Sequence, residues 1–153
     1  MYRLFLIYVL LIGCLLGQVK LTPQQKKYDV EYFQLVKVLR QYQHKFRTDD
    51  ITIGLRLATL EELAEFIPNS CGASLFDVSH PGIPMGSIWV LRSDQYPKDQ
   101  TKICGAVDIR ADQINTIVHE YCHFLLTYSA TEEQTVDIIS NMIAPTKHIH
   151  KKP

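Results

Sequence analysis

The sequence has no surplus of charge. Lys and Arg total 16, Asp and Glu total 16, and the formal net charge is zero. Without a basic excess there is no electrostatic footprint for a nucleic-acid backbone, and without an acidic one no solvating tail. Repeats and low-complexity tracts are also missing, so solenoid architectures do not apply. No apolar run reaches the roughly 18–20 residues that a spanning helix needs, and the mean hydropathy is −0.04. A polytopic membrane protein is excluded. What is present is ordinary for a folded chain of 153 residues: 46% hydrophobic and 21% charged residues, enough for one domain.

The apolar run that does occur is Leu4 to Gly17, preceded by Arg3. At about 1.5 Å per residue it extends roughly 21 Å, short of a hydrocarbon core near 30 Å. One positive residue before a short apolar stretch is the layout of a secretory signal. Within it Leu11-Ile12-Gly13-Cys14 resembles the bacterial lipobox, whose cysteine is acylated. Residues 1–20 are therefore read as a signal peptide, a lipoprotein signal or a membrane anchor, beside the alternative of a buried core helix. Each of the first three places the rest outside the cytoplasm, in the cell envelope or secreted, with a membrane tether through the N-terminus in two of them. Of the remaining cysteines, Cys71 and Cys104 are the first pair to expect in a disulfide, beside the alternative of three buried thiols.

The folded part is expected over residues 21–146, with 147–153 as a flexible tail. Thr22-Pro23 supplies a cap and a first-turn proline, and Tyr28, Tyr32, Leu35, Val36, Leu39, Tyr42 and Phe46 recur at helical spacing up to about Arg47. Residues 51–57 alternate as a strand does. Thr59 and Glu62 form a capping-box spacing for a short helix ending near Phe66. Three further strands are expected over 73–78, 87–92 and 103–109, then helices over about 112–128 and 132–143. The order predicts an α+β fold with a small, mostly antiparallel sheet.

Residues 119–123 read His-Glu-Tyr-Cys-His. Four residues apart on a helix, His119 and His123 project from one face, a spacing that lets two imidazoles meet one zinc ion. Glu120 is rotated about 100° from His119 and can reach a water on the metal without ligating it. Zinc draws the pKa of such a water toward about 7, and an adjacent carboxylate accepts its proton. Ile114, Ile117, Val118, Tyr121 and Leu125 supply the apolar stripe of the helix, with Asp112 near its positive end. The plain alternative is two ordinary helix histidines and a solvated glutamate.

The stretch resembles the zincin metallopeptidases, which carry HExxH on an active-site helix. The metzincin extension is absent, because Leu126 and Ser129 stand where Gly and the third His belong. In gluzincins the third ligand is a glutamate on the following helix, and thermolysin-like members show Glu-x-x-x-Asp. Here Glu133-Gln134-Thr135-Val136-Asp137 matches that pattern. The resemblance implies a minimal zincin-like metalloprotease domain with an active-site helix and a following glutamate helix. It implies one zinc ion held by His119, His123 and Glu133, with Asp137 bracing His119 from its other ring nitrogen. Glu132 competes with Glu133, and Asp137, His148 and His150 remain further alternatives. No GxMEN exopeptidase signature occurs.

The expected activity is hydrolysis of peptide or protein substrates, with Glu120 as general base. Zincins hold substrate along an edge strand, and residues 85–91 are the expected one, with Trp89 either a pocket wall or core. Tyr128, Tyr121 and His80 are the candidates for stabilising the oxyanion. Two other classes stay open: a non-catalytic, zinc-stabilised binding module attached to the envelope, and a metal-free structural protein anchored in a membrane.

Overall fold

In the computed structural model, residues 21–76, 85–126 and 133–146 are described; the N-terminal segment, His80, Tyr128, Glu132, His148 and His150 lie outside them. The chain divides into two compact units, Met1–Val30 and Glu31–Pro153. Of the first, the described residues are the start of helix α1 (Pro23–Lys45), where the Thr22 hydroxyl accepts from the Gln25 amide at 3.2 Å. Strand β1 (Thr52–Ala58), helix α2 (Leu60–Phe66), strands β2 (Gly72–Phe76) and β3 (Met85–Leu91), and helices α3 (Ile109–Leu125) and α4 (Glu133–Ile143) follow. Among the described residues no helix is long and apolar enough to cross a membrane.

The fold is α+β, but the sheet is mixed rather than mostly antiparallel. Its order is β1-β3-β2, with β1 parallel and β2 antiparallel to β3. The strand expected over 103–109 does not form. Cys104 takes φ of 63° there, in the left-handed region that strands do not use, and the segment is a succession of turns. The last long helix starts one turn earlier than its apolar periodicity suggested, because the Asp108 side chain caps it by accepting from the Ala111 amide at 3.0 Å. Thr59 and Glu62 do form a capping box on α2, and the amide and hydroxyl bonds there, with Arg56 opposite, hold the Glu62 carboxyl below its ordinary pKa.

Strand alternation sends side chains to two cores. On one face Ile53, Leu55, Ile88 and Val90 pack with Leu35 and Leu39 of α1 and with Ile117, Tyr121 and Phe124 of α3. On the other, Ala58, Ala73, Trp89 and Leu91 pack with Leu63 of α2 and with Tyr96 and Cys104. Trp89 is a core residue, edge-on to Phe66 and under the Arg56 guanidinium at 4.2 Å, so it forms no wall of the cleft. Glu31, 8% exposed, accepts from the Ser93 amide and hydroxyl, each at 2.8 Å, and from Gln113 Nε2 at 2.6 Å. Gln113 also donates to the Leu91 carbonyl at 3.0 Å, so one carboxylate joins α1, the exit of β3 and α3.

At Gly86 the strands approach so closely that a Cβ would stand 2.0 Å from the Leu75 carbonyl oxygen and 2.9 Å from the Phe124 ring. Backbone cannot yield as a flexible side chain does. Gly86→Ala is expected to lower unfolding free energy by roughly 3 kcal/mol, the upper end for overpacking, as read by urea denaturation.

Candidate functional site

Helix α3 has three kinds of neighbour. At 100° per residue, Ile117, Tyr121 and Phe124 form the sector against the sheet, and Val118 and Cys122 the sector against Val136 and Ala144. Asp112, Asn115, Thr116, His119 and Glu120 are left for a third sector, and these line a cleft of about 420 Å³. The opposite wall is Asn69–Gly72 and the loop Gln100–Gly105, joined by a disulfide between Cys71 and Cys104 whose Cα atoms are 5.4 Å apart.

His119 and His123 converge. Their Nε2 atoms are 3.2 Å apart, with ring planes at 71°. Two zinc–nitrogen bonds of about 2.0–2.1 Å at a tetrahedral angle put their nitrogens roughly 3.3–3.4 Å apart. The other nitrogen of His119, Nδ1, lies 3.2 Å from Asp137 Oδ1 on α4. A proton on Nδ1 shared with that carboxylate leaves the Nε2 lone pair directed at His123. The donor set on the two rings fits a divalent ion.

Glu120 is buried, 7% exposed, and reaches the cleft floor beside Gly72. A Cβ at Gly72 would meet Thr116 Cγ2 at 2.3 Å and Glu120 Oε1 at 3.3 Å, so a glycine is what lets β2 lie against this part of α3. Glu133 begins α4 one turn before Asp137, on the same helix face; its side chain lies outside the described residues. Among the described residues no group of three or more His, Cys, Asp or Glu side chains is arranged to hold a metal. The described residues thus bring together two imidazoles and a carboxylate at the far nitrogen of one of them.

Two expectations need correction. Tyr121 is fully buried in the sheet core, where its hydroxyl meets that of Thr48, so it faces away from the cleft and stabilises no oxyanion. Asp112 does stand in the first turn of α3, as expected; it is 2% exposed and accepts from the Tyr96 hydroxyl at 2.7 Å, and burial and this carboxylate push the Tyr96 phenol far above its ordinary pKa, so it remains a donor. Residues 85–91 are the central strand, hydrogen-bonded on both sides, and offer no edge to a substrate. The outer edge nearest the cleft belongs to β2, which among the described residues has β3 as its one neighbour and whose first residue, Gly72, lies over Glu120.

Asn115, Thr116 and Gly72 were not singled out from the sequence. Asn115 and Thr116 stand four and three residues before His119, so the polar sector of the helix announced both. Gly72 carried no such signal. Cys122 packs between α3 and α4, and burial pushes its thiol up, which keeps it protonated and unreactive. Comparison with protein-family models, curated proteins and solved structures finds no match to this chain.

Asn115 Nδ2 donates to the Ala144 carbonyl at 2.8 Å, closing the C-terminal end of α4 onto α3. Asn115→Ala is expected to cost about 1–2 kcal/mol. It should also speed amide exchange in residues 133–143 more than in the sheet, as hydrogen-exchange mass spectrometry would show.

Proposed function

We propose that this chain is a zinc-dependent peptidase of gluzincin type, in which His119, His123 and Glu133 hold one ion and Glu120 is the general base. The observation that carries the reading is the Nε2 pair at 3.2 Å with Nδ1 of His119 at Asp137, next to a buried glutamate in an open cleft. Zinc, when bound, acidifies a water and polarises a carbonyl. Glu120 takes the proton of the attacking water on a carboxylate oxygen and later hands it to the leaving amine. Burial suits that role, because an acid shielded from bulk water exchanges its proton with the reactants. Asp137 holds His119 in the tautomer that keeps Nε2 unprotonated. An extended peptide pairs with the outer edge of β2, whose start at Gly72 brings its backbone beside Glu120.

The reading extends to location. The Leu4–Gly17 run and the Cys71–Cys104 bond support an exported protein of the cell envelope, tethered through its N-terminus or secreted, since such bonds persist in oxidising compartments.

Purified protein dialysed against trace zinc should retain one ion per chain by mass spectrometry. His119→Ala and His123→Ala should each lose it. Asp137→Asn should weaken zinc about 10–100-fold, the range for partners that orient a ligand. Glu120→Gln should keep the metal and lose hydrolysis of a peptide library by at least about a hundredfold. Zinc retained by wild type with every peptide left intact would favour the binding module instead.

A further inference from the structure

Behind the cleft lies a second hollow of about 560 Å³, and the two share a wall: Asn69, Ser70, Thr101, Lys102 and Ile103 line both. Its remaining lining is apolar, from Leu60 and Ala64 of α2 and from Pro97. The dividing loop is preformed. Asp99 Oδ1 accepts from the Thr101 amide at 2.9 Å and its hydroxyl at 2.7 Å, and the Gly105 amide donates to the Lys102 carbonyl at 2.9 Å. A Cβ at Gly105 would stand 2.6 Å from Gln100 Cα, so the loop folds against itself. The disulfide then fixes its Cys104 end beside β2. Its crest is Ile103, an isoleucine left 54% exposed between the two hollows.

We infer that the disulfide-pinned loop Asp99–Gly105 is the specificity element of this site: it directs one large apolar side chain of an extended peptide into the hollow of Leu60, Ala64, Pro97 and Ile103. The inference rests on the peptide-binding part of the proposed function. Ser70 and Cys71 directly precede β2, so the loop and the recess adjoin the Gly72 end of that strand. A side chain at that end of a peptide paired with β2 is the one within reach of the apolar recess, which shares five lining residues with the cleft. The preference therefore falls at a single position, on one side of the bond beside Glu120. Among the described residues Lys102 is the one ionisable residue lining the recess. It makes the hollow reject Lys and Arg by like charge while leaving Leu and Phe unaffected.

Zinc-loaded full-length protein is offered position-scanned hexapeptides carrying Gly, Leu, Phe or Lys at each site. The same fluorescently labelled peptides are titrated against Glu120→Gln by anisotropy. Leu and Phe should exceed Gly at one position by at least about tenfold, the scale of filling an apolar pocket. Ala64→Trp fills the recess from an exposed helix position and should remove that preference while leaving the Gly peptide as before. Lys102→Glu should admit the Lys peptide. If wild type cleaves peptides but its preference survives both Ala64→Trp and Ile103→Ser, the inference is overturned and the peptidase stands. If no peptide is cleaved but the apolar series binds and Ala64→Trp weakens it, the recess is upheld and the peptidase falls. Absence of both cleavage and binding overturns both.

Discussion

The structure depends on one helix being buried on two sides at once. Helix α3 gives Ile117, Tyr121 and Phe124 to the sheet and Val118 and Cys122 to α4. These sectors are adjacent around the helix, so no register shift or rotation can satisfy one without breaking the other. The third sector is thereby fixed in direction. His119, Glu120, Asn115 and Thr116 occupy it not through attraction to one another but because both apolar sectors are held. The histidine pair is positioned by hydrophobic contacts made on the opposite sides of its helix.

Helix α4 is held more lightly, and the polar contacts there matter more. Val136 and Ala144 supply its buried apolar surface, while Asn115 secures its C-terminal end and Asp137 contacts His119 nearer its start. Asp137 is 57% exposed, which screens the pair and makes its value as a stabilising ion pair small. Its effect is directional. A carboxylate at Nδ1 selects one tautomer of His119, and that selection needs a proton shared over 3.2 Å rather than a large free energy.

Much of this was legible in the residues. The helices follow from apolar spacing and caps: Thr22, Thr59 and the HExxH stripe each mark an element that forms. The approach of His119 to Asp137 was implied only by the resemblance to the thermolysin-like pattern, because each four-residue spacing is a property of one helix and a contact between two helices depends on the tertiary path. The errors are of another kind. Ile103 to Ile109 has strand-like composition but carries Cys104 in a left-handed conformation, and the disulfide partner that holds it there is 33 residues away. The edge strand was misassigned because strand order is a global property: β3 follows β2 in the chain yet inserts between β2 and β1. Tyr121 belongs to the apolar stripe, as its spacing from Ile117 indicates, and its burial in the sheet core removes only its candidacy as an oxyanion partner.

The disulfide loop shows why such failures gather at the cleft. A three-stranded sheet with strands of five to seven residues covers little surface, and one side of β2 must be finished by irregular chain. Irregular backbone needs local constraints in place of a hydrogen-bonded ladder. Asp99 with Thr101, the turn at Gly105 and the Cys71–Cys104 bond provide them, the last worth about 3–4 kcal/mol for a loop of this length on a chain-entropy account. Because β2 begins at Gly72, immediately after the bonded cysteine, the same link that stabilises the loop also sets where the strand edge starts relative to Glu120. Stability of the wall and placement of the candidate base are therefore one constraint, imposed on two consecutive residues.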